Sequence, residues 1–174
     1  MRKKILLFII FFSLVSGTLV INVLFKYQQK TDMDIANILG IDTVKIDSFD
    51  YSESWNIKDY DVVEVYKLSD ATINTFVTSS SFILCDKHHE SNLWEKCDWS
   101  KTPIALPKWC EVYDMAITPL REDSKHNKLM KEIQKTLKDP ENYYSLYLKK
   151  TKGAVALFVL NPGSKYLYCV YVKI

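Results

Sequence analysis

Glycine is scarce in this chain, 4 in 174 residues, and none of the four belongs to a Gly-rich phosphate loop. Such loops need glycine so that backbone N–H groups can approach a phosphate closely, so nucleotide-phosphate chemistry of that kind has no sequence basis. No Ser sits in a Gly-x-Ser-x-Gly elbow and no Ser-x-x-Lys occurs, which leaves the common acyl-enzyme nucleophiles without a motif. No Cys-x-x-Cys pair exists, so a thioredoxin-like redox site is not indicated. Asn-x-Ser/Thr sequons are missing too: Asn74 precedes Thr75-Phe76 and Asn161 precedes Pro162-Gly163. For an exported domain that leans toward a bacterial source, as does the Lys, Ile, Asn and Tyr bias.

A strong charge of one sign is also lacking. The formal net charge is +2, but Arg2, Lys3, Lys4 and Lys26 flank an apolar run in a segment without acids. With those four set aside, the remaining 19 Lys and Arg meet 21 Asp and Glu. A nearly neutral remainder offers no concentrated basic face for a phosphate backbone, so no nucleic-acid partner is expected.

What is present begins with Ile5–Phe25, 21 residues without a charge. As a helix it would be about 31 Å long, enough for a hydrocarbon core of roughly 30 Å. Cleavage after a Val15-Ser16-Gly17 site would leave the apolar Leu19–Phe25 on the mature N-terminus, so an uncleaved anchor is the better reading. The cations before the helix favour a cytoplasmic N-terminus. The expected organisation is a tail at 1–4, a transmembrane anchor at 5–25 in contact with the lipid bilayer, a linker at 26–42, and an extracytoplasmic domain at 43–174. The expected location is a bacterial inner membrane, periplasmic side.

All four cysteines, Cys85, Cys97, Cys110 and Cys169, then fall in an oxidising compartment, where an even count predicts two disulfides. The favoured pairing is Cys85–Cys97 and Cys110–Cys169. Cys85, His88, His89, Glu90 and Cys97 crowd together, yet the single Cys-x-x-His has no matching second half, so no metal or cofactor is expected.

Within the domain, Thr43–Phe49 alternates and Asp61–Leu68 is dense in β-branched residues, both strand patterns. Ser69 can cap a helix over Asp70–Ser79 with Ile73, Phe76 and Val77 on one face. Phe82–Leu84 and Glu111–Ile117 are short strand candidates, and Asp86–Trp109 reads as a long irregular loop. Thr118-Pro119 opens a second helix that carries Met130, Ile133 and Leu137 and stops before Asp139-Pro140. Tyr143–Lys149, Ala154–Leu160 and Tyr166–Lys173 predict a three-strand antiparallel meander. The fold class is therefore α+β, with an antiparallel sheet and two helices.

Few residues invite a chemical role. His88 and His89 lie in a polar stretch, and His126 reads as a helix-surface or boundary residue. Asp59, Asp61 and Glu64 are expected at a strand edge, serving solubility. Lys125, Lys128, Lys131, Lys135 and Lys138 read as a solvated helix face, or as a contact for an acidic partner. Trp94, Trp99 and Trp109 are candidates for an interaction surface. The expectation is a tethered, non-enzymatic interaction or accessory module with a protein partner in the periplasm. Its alternatives are an immunity or inhibitor protein against a toxin or enzyme, and a hydrolase with an unrecognised site.

Overall fold

Six consecutive residues, Val155–Leu160, are buried, a pattern that only a strand covered on both faces requires. A computed structural model describes residues 29–55, 60–79, 82–84, 93–104, 125–150 and 153–173 of the chain. Its strands are β1 (Ile46–Trp55), β2 (Tyr60–Leu68), β3 (Trp94–Lys101), β4 (Tyr143–Lys149), β5 (Ala154–Asn161) and β6 (Tyr166–Lys173). They form one six-stranded sheet in the order β1-β2-β6-β5-β4-β3. Every neighbouring pair is antiparallel. The domain is thus a small α+β unit with three helices among the described residues: α1 (Asp32–Leu39), α2 (Asp70–Thr78) and α3 (Lys125–Lys138).

Helices cover both sheet faces. On one, Ile35, Ile38 and Leu39 of α1 and Phe76 of α2 pack with Tyr66, Tyr147 and Phe158. On the other, Met130, Ile133 and Leu137 of α3 pack with Val63, Leu157 and Val170. The meander predicted for the last third is present as β4, β5 and β6, and the β1–β2 hairpin extends it through the β2–β6 pairing.

Three expectations are corrected. The stretch 26–42 is no mere linker, because Asp32–Leu39 is a helix with Ile35, Ile38 and Leu39 fully buried. Thr31 and Asp34 form a capping box, the Thr31 hydroxyl accepting from the Asp34 N–H (3.2 Å) and the Asp34 carboxylate from the Thr31 N–H (2.8 Å). Gly40 ends the helix at φ 66°, and a Cβ there would lie 2.3 Å from the Ile83 carbonyl oxygen, so glycine is required on both counts. Secondly, Asp86–Trp109 is not wholly irregular, since Trp94–Lys101 is strand β3. A register shift between Cys97 and Ser100 lets Cys97 join the α3 core and Trp99 the α1–α2 core, although they stand two residues apart. Thirdly, β2 is an interior strand, so Asp61 and Glu64 are buried instead of lying at a sheet edge. Asp59 lies outside the described residues, as does the Glu111–Ile117 strand candidate.

The outer edge of β3 is covered: the Trp99 N–H donates to the Phe82 carbonyl (3.0 Å) and the Leu84 N–H to the Asp98 carboxylate (3.0 Å). Edge strand β1 carries Asp47 and Asp50, charges of the kind that discourage edge-to-edge pairing. Among the described residues no helix is long and apolar enough to cross a membrane, and the Ile5–Phe25 run lies outside them.

Candidate functional site

Helix α3 owes its position to its two sides. Met130, Ile133 and Leu137 recur at helical spacing and bury against the sheet. At 3.6 residues per turn, Lys128, Lys131, Lys135 and Lys138 fall on the opposite side, and all four are exposed. The expected solvated lysine face is therefore a continuous ridge. Lys125, one turn earlier, turns toward β1, where its ammonium lies 2.6 Å from the Asp50 carboxylate and 3.3 Å from the Tyr51 carbonyl oxygen. The Lys125 hydrogen bond holds the Asp50 carboxyl below its ordinary range.

Between α3 and the sheet opens a cavity of about 240 Å³. Apolar Val65 and Leu129 line it together with the rings of Tyr166 and Tyr168, and Asp50 and Glu132 add carboxylates, while the neighbouring Phe49 ring packs on Tyr66 in the core of the opposite face. The Tyr168 hydroxyl donates to Glu132 at 2.6 Å. Burial, reinforced by that carboxylate, pushes the Tyr168 phenol well above its ordinary range, so it stays a neutral donor.

His126 is buried at 4% exposure, contrary to the expected surface or boundary position. Its place follows from the helix, since it projects to the same side as Met130 and Ile133. Desolvation lowers its pKa, and the nearby Ser52 backbone opposes this only in part, since neither ring nitrogen makes a hydrogen bond. An imidazole held neutral and out of solvent in this way is a core residue. His88 and His89 lie outside the described residues.

The other sheet face holds a buried ionic cluster. Glu64, 1% exposed, accepts from the Lys30 ammonium (3.3 Å) and from the Tyr66 hydroxyl (2.9 Å). The Lys30 N–H donates to the Tyr66 oxygen (3.2 Å), and the Lys30 ammonium sits 4.7 Å from the centre of the Tyr171 ring. Removing one partner of such a pair leaves an uncompensated buried charge, at a cost of about 3–5 kcal/mol. Lys30 is thereby fixed into the fold directly before α1. A charged residue inside the β-branched run Val62-Val63-Glu64-Val65 was the sequence signal for this cluster, and Lys30 gave none.

Of the tryptophans proposed as an interaction surface, Trp99 is 5% exposed and structural. Its indole N–H donates to the Ile38 carbonyl (2.8 Å), and its ring meets Phe76 edge-on at 5.3 Å. Trp94 is half-buried, with the Lys149 ammonium 5.7 Å from its ring centre, and Trp109 lies outside the described residues. Trp94 and Trp99 thus pack against one buried cluster, and Trp99 presents no surface of its own.

Cys97 and Cys169 are both buried and neither is in a disulfide, and they sit in the cores on opposite faces of the sheet. Neither carries the bridge expected of it, and the expected partners Cys85 and Cys110 lie outside the described residues. Cys169 is fully enclosed, opposite Phe158 and Glu64 on the adjacent strands. Burial raises the Cys97 pKa, further lowering its reactivity. Among the described residues no group of three or more His, Cys, Asp or Glu side chains is placed to hold a metal ion.

The chain matches no family model, no curated protein and no solved structure.

Proposed function

We propose that this chain is a single-pass membrane protein whose extracytoplasmic domain acts by binding a protein partner and does not catalyse. The observation that carries the reading is the fixing of Lys30 to Glu64 and Tyr66. Between Phe25, the end of the apolar run, and Lys30 stand only residues 26–29. The five Cα–Cα steps from Phe25 to Lys30 reach at most about 18 Å when fully extended. An anchor at 5–25 would then hold the domain against the bilayer surface in a restricted orientation. Restriction of that kind raises the effective concentration of a module toward partners in the same membrane.

A narrower version, an inhibitor or immunity protein against an acidic toxin or enzyme, is favoured by the α3 lysine ridge, because such complexes depend on charge complementarity.

The test is topological. A reporter active only in the cytoplasm, fused after Ile174, should be silent, while one active only outside should work, and the full-length chain should resist alkaline extraction from membranes. Cytoplasmic reporter activity at Ile174 would overturn the orientation.

A further inference from the structure

We infer that the lysine ridge of α3, together with the cavity beside it, is the docking surface for an acidic protein segment bearing an apolar side chain. The inference deepens the tethered-module reading and depends on it only for the orientation of the domain.

Lys128, Lys131, Lys135 and Lys138 stand three or four positions apart, so their charges repel along the helix. Among the described residues none of these four ammonium groups has a carboxylate partner. The acid within α3, Glu132, is engaged by the Tyr168 hydroxyl, and Asp50 is engaged by Lys125. A solvated helix face ordinarily intersperses both signs. Here four ammonium groups spread over about 15 Å, the rise of ten helical residues, meet a single carboxylate on the helix, Glu132. Carboxylates on a partner would supply the missing sign, steering its approach and fixing its register.

The cavity supplies what charge cannot. Its apolar lining by Val65, Leu129 and the rings of Tyr166 and Tyr168 suits one aliphatic or aromatic side chain, the kind of anchor that carries most interface energy.

Geometry decides between a protein and the headgroups of anionic lipid. Lys30 contacts the sheet face opposite α3. Helix and sheet layers stack at about 10 Å, so the ridge and Lys30 are separated by roughly 20 Å. Were the ridge to lie on the bilayer, the five Cα–Cα steps from Phe25 to Lys30, at most about 18 Å when fully extended, would fall short of that distance. The ridge therefore faces away from or along the membrane, where a protein segment reaches it.

The full chain in nanodiscs of zwitterionic lipid is titrated with a labelled peptide of glutamates around one central tryptophan, and with its all-glutamate counterpart. The tryptophan peptide should bind more tightly, and less so as salt rises. Replacing Lys128, Lys131, Lys135 and Lys138 together by Gln should weaken it at least about tenfold, whereas replacement of all four by Arg should preserve it. Ser48→Trp, which fills the cavity, should reduce its affinity to that of the all-glutamate peptide. Equal binding by the Gln variant, or no advantage for the tryptophan peptide, would overturn the docking surface. Amine-reactive labelling of the chain in anionic nanodiscs should leave the ridge lysines reactive until peptide is added, and their protection by lipid alone would overturn the choice of a protein. Peptide binding by a chain found without its N-terminal run would uphold the docking surface while removing the tether.

Discussion

At His126 an ionisable ring sits within the α3 core, and its protonation is coupled to folding. In the unfolded chain it titrates near its ordinary value of about 6.5, while in the folded domain desolvation holds the value lower. As pH falls through that ordinary value, the unfolded chain takes up a proton that the folded chain refuses. The stability contributed by the neutral ring is therefore complete above about pH 7 and is lost on acidification. Chemical denaturation of the full chain in detergent micelles should show a lower midpoint at pH 5.5 than at pH 7.5, and His126→Leu should remove most of that difference. A variant that kept the whole pH dependence would show that His126 does not couple protonation to folding. Residue-level facts of this sort were only partly legible. The stripe shared by His126, Met130 and Ile133 placed the ring near the buried side, but its depth depends on β1 packing across the helix, which no local pattern reveals. Glu64, read with Asp59 and Asp61 as a strand-edge charge, stands among valines in the sequence, whereas its partner Lys30 lies 34 positions away and meets it only through tertiary structure.

At the scale of elements, short-range chemistry was the better guide. Ser69 caps α2 as expected, its hydroxyl accepting from the Thr72 N–H at 3.2 Å, and the β4–β5–β6 meander follows from turns at 150–153 and 161–164. Helix α1 was passed over because eight residues hold barely two turns of apolar spacing, although its Thr31 cap and Gly40 stop were both in place. Strand β3 was hidden by its register shift, which breaks the two-residue alternation on which strand recognition depends. That shift also carries Trp99 into the core, where it joins β3 to α1 through the Ile38 carbonyl and to α2 through Phe76. Trp99→Ala should accordingly destabilise the domain by about 3–5 kcal/mol, the range for truncating a buried aromatic. Trp94→Ala, at a half-buried edge position, should cost less. Equilibrium unfolding of the two variants checks this, and equal small losses would return Trp99 to the surface.

For the whole molecule, the arrangement of charge and tether matters more than any single site. Asp32, Asp34, Asp42 and Asp70 lie on or beside the helices of one sheet face, and the lysine ridge lies on the helix of the other. The near-zero net charge of the domain conceals this division, which becomes visible only once the sheet separates the helices. Lys30 enters on the acidic side, and Met33, one turn into the fold, is 72% exposed there. If the short connection to residues 5–25 presses that side toward the bilayer, depth in the membrane must differ sharply between the two faces. The decisive measurement is quenching by headgroup-attached spin labels of a fluorescent amino acid placed at Met33 or at Lys135 in the full chain reconstituted into vesicles. The account expects strong quenching at position 33 and little at position 135. Equal quenching at both, or stronger quenching at position 135, would contradict it.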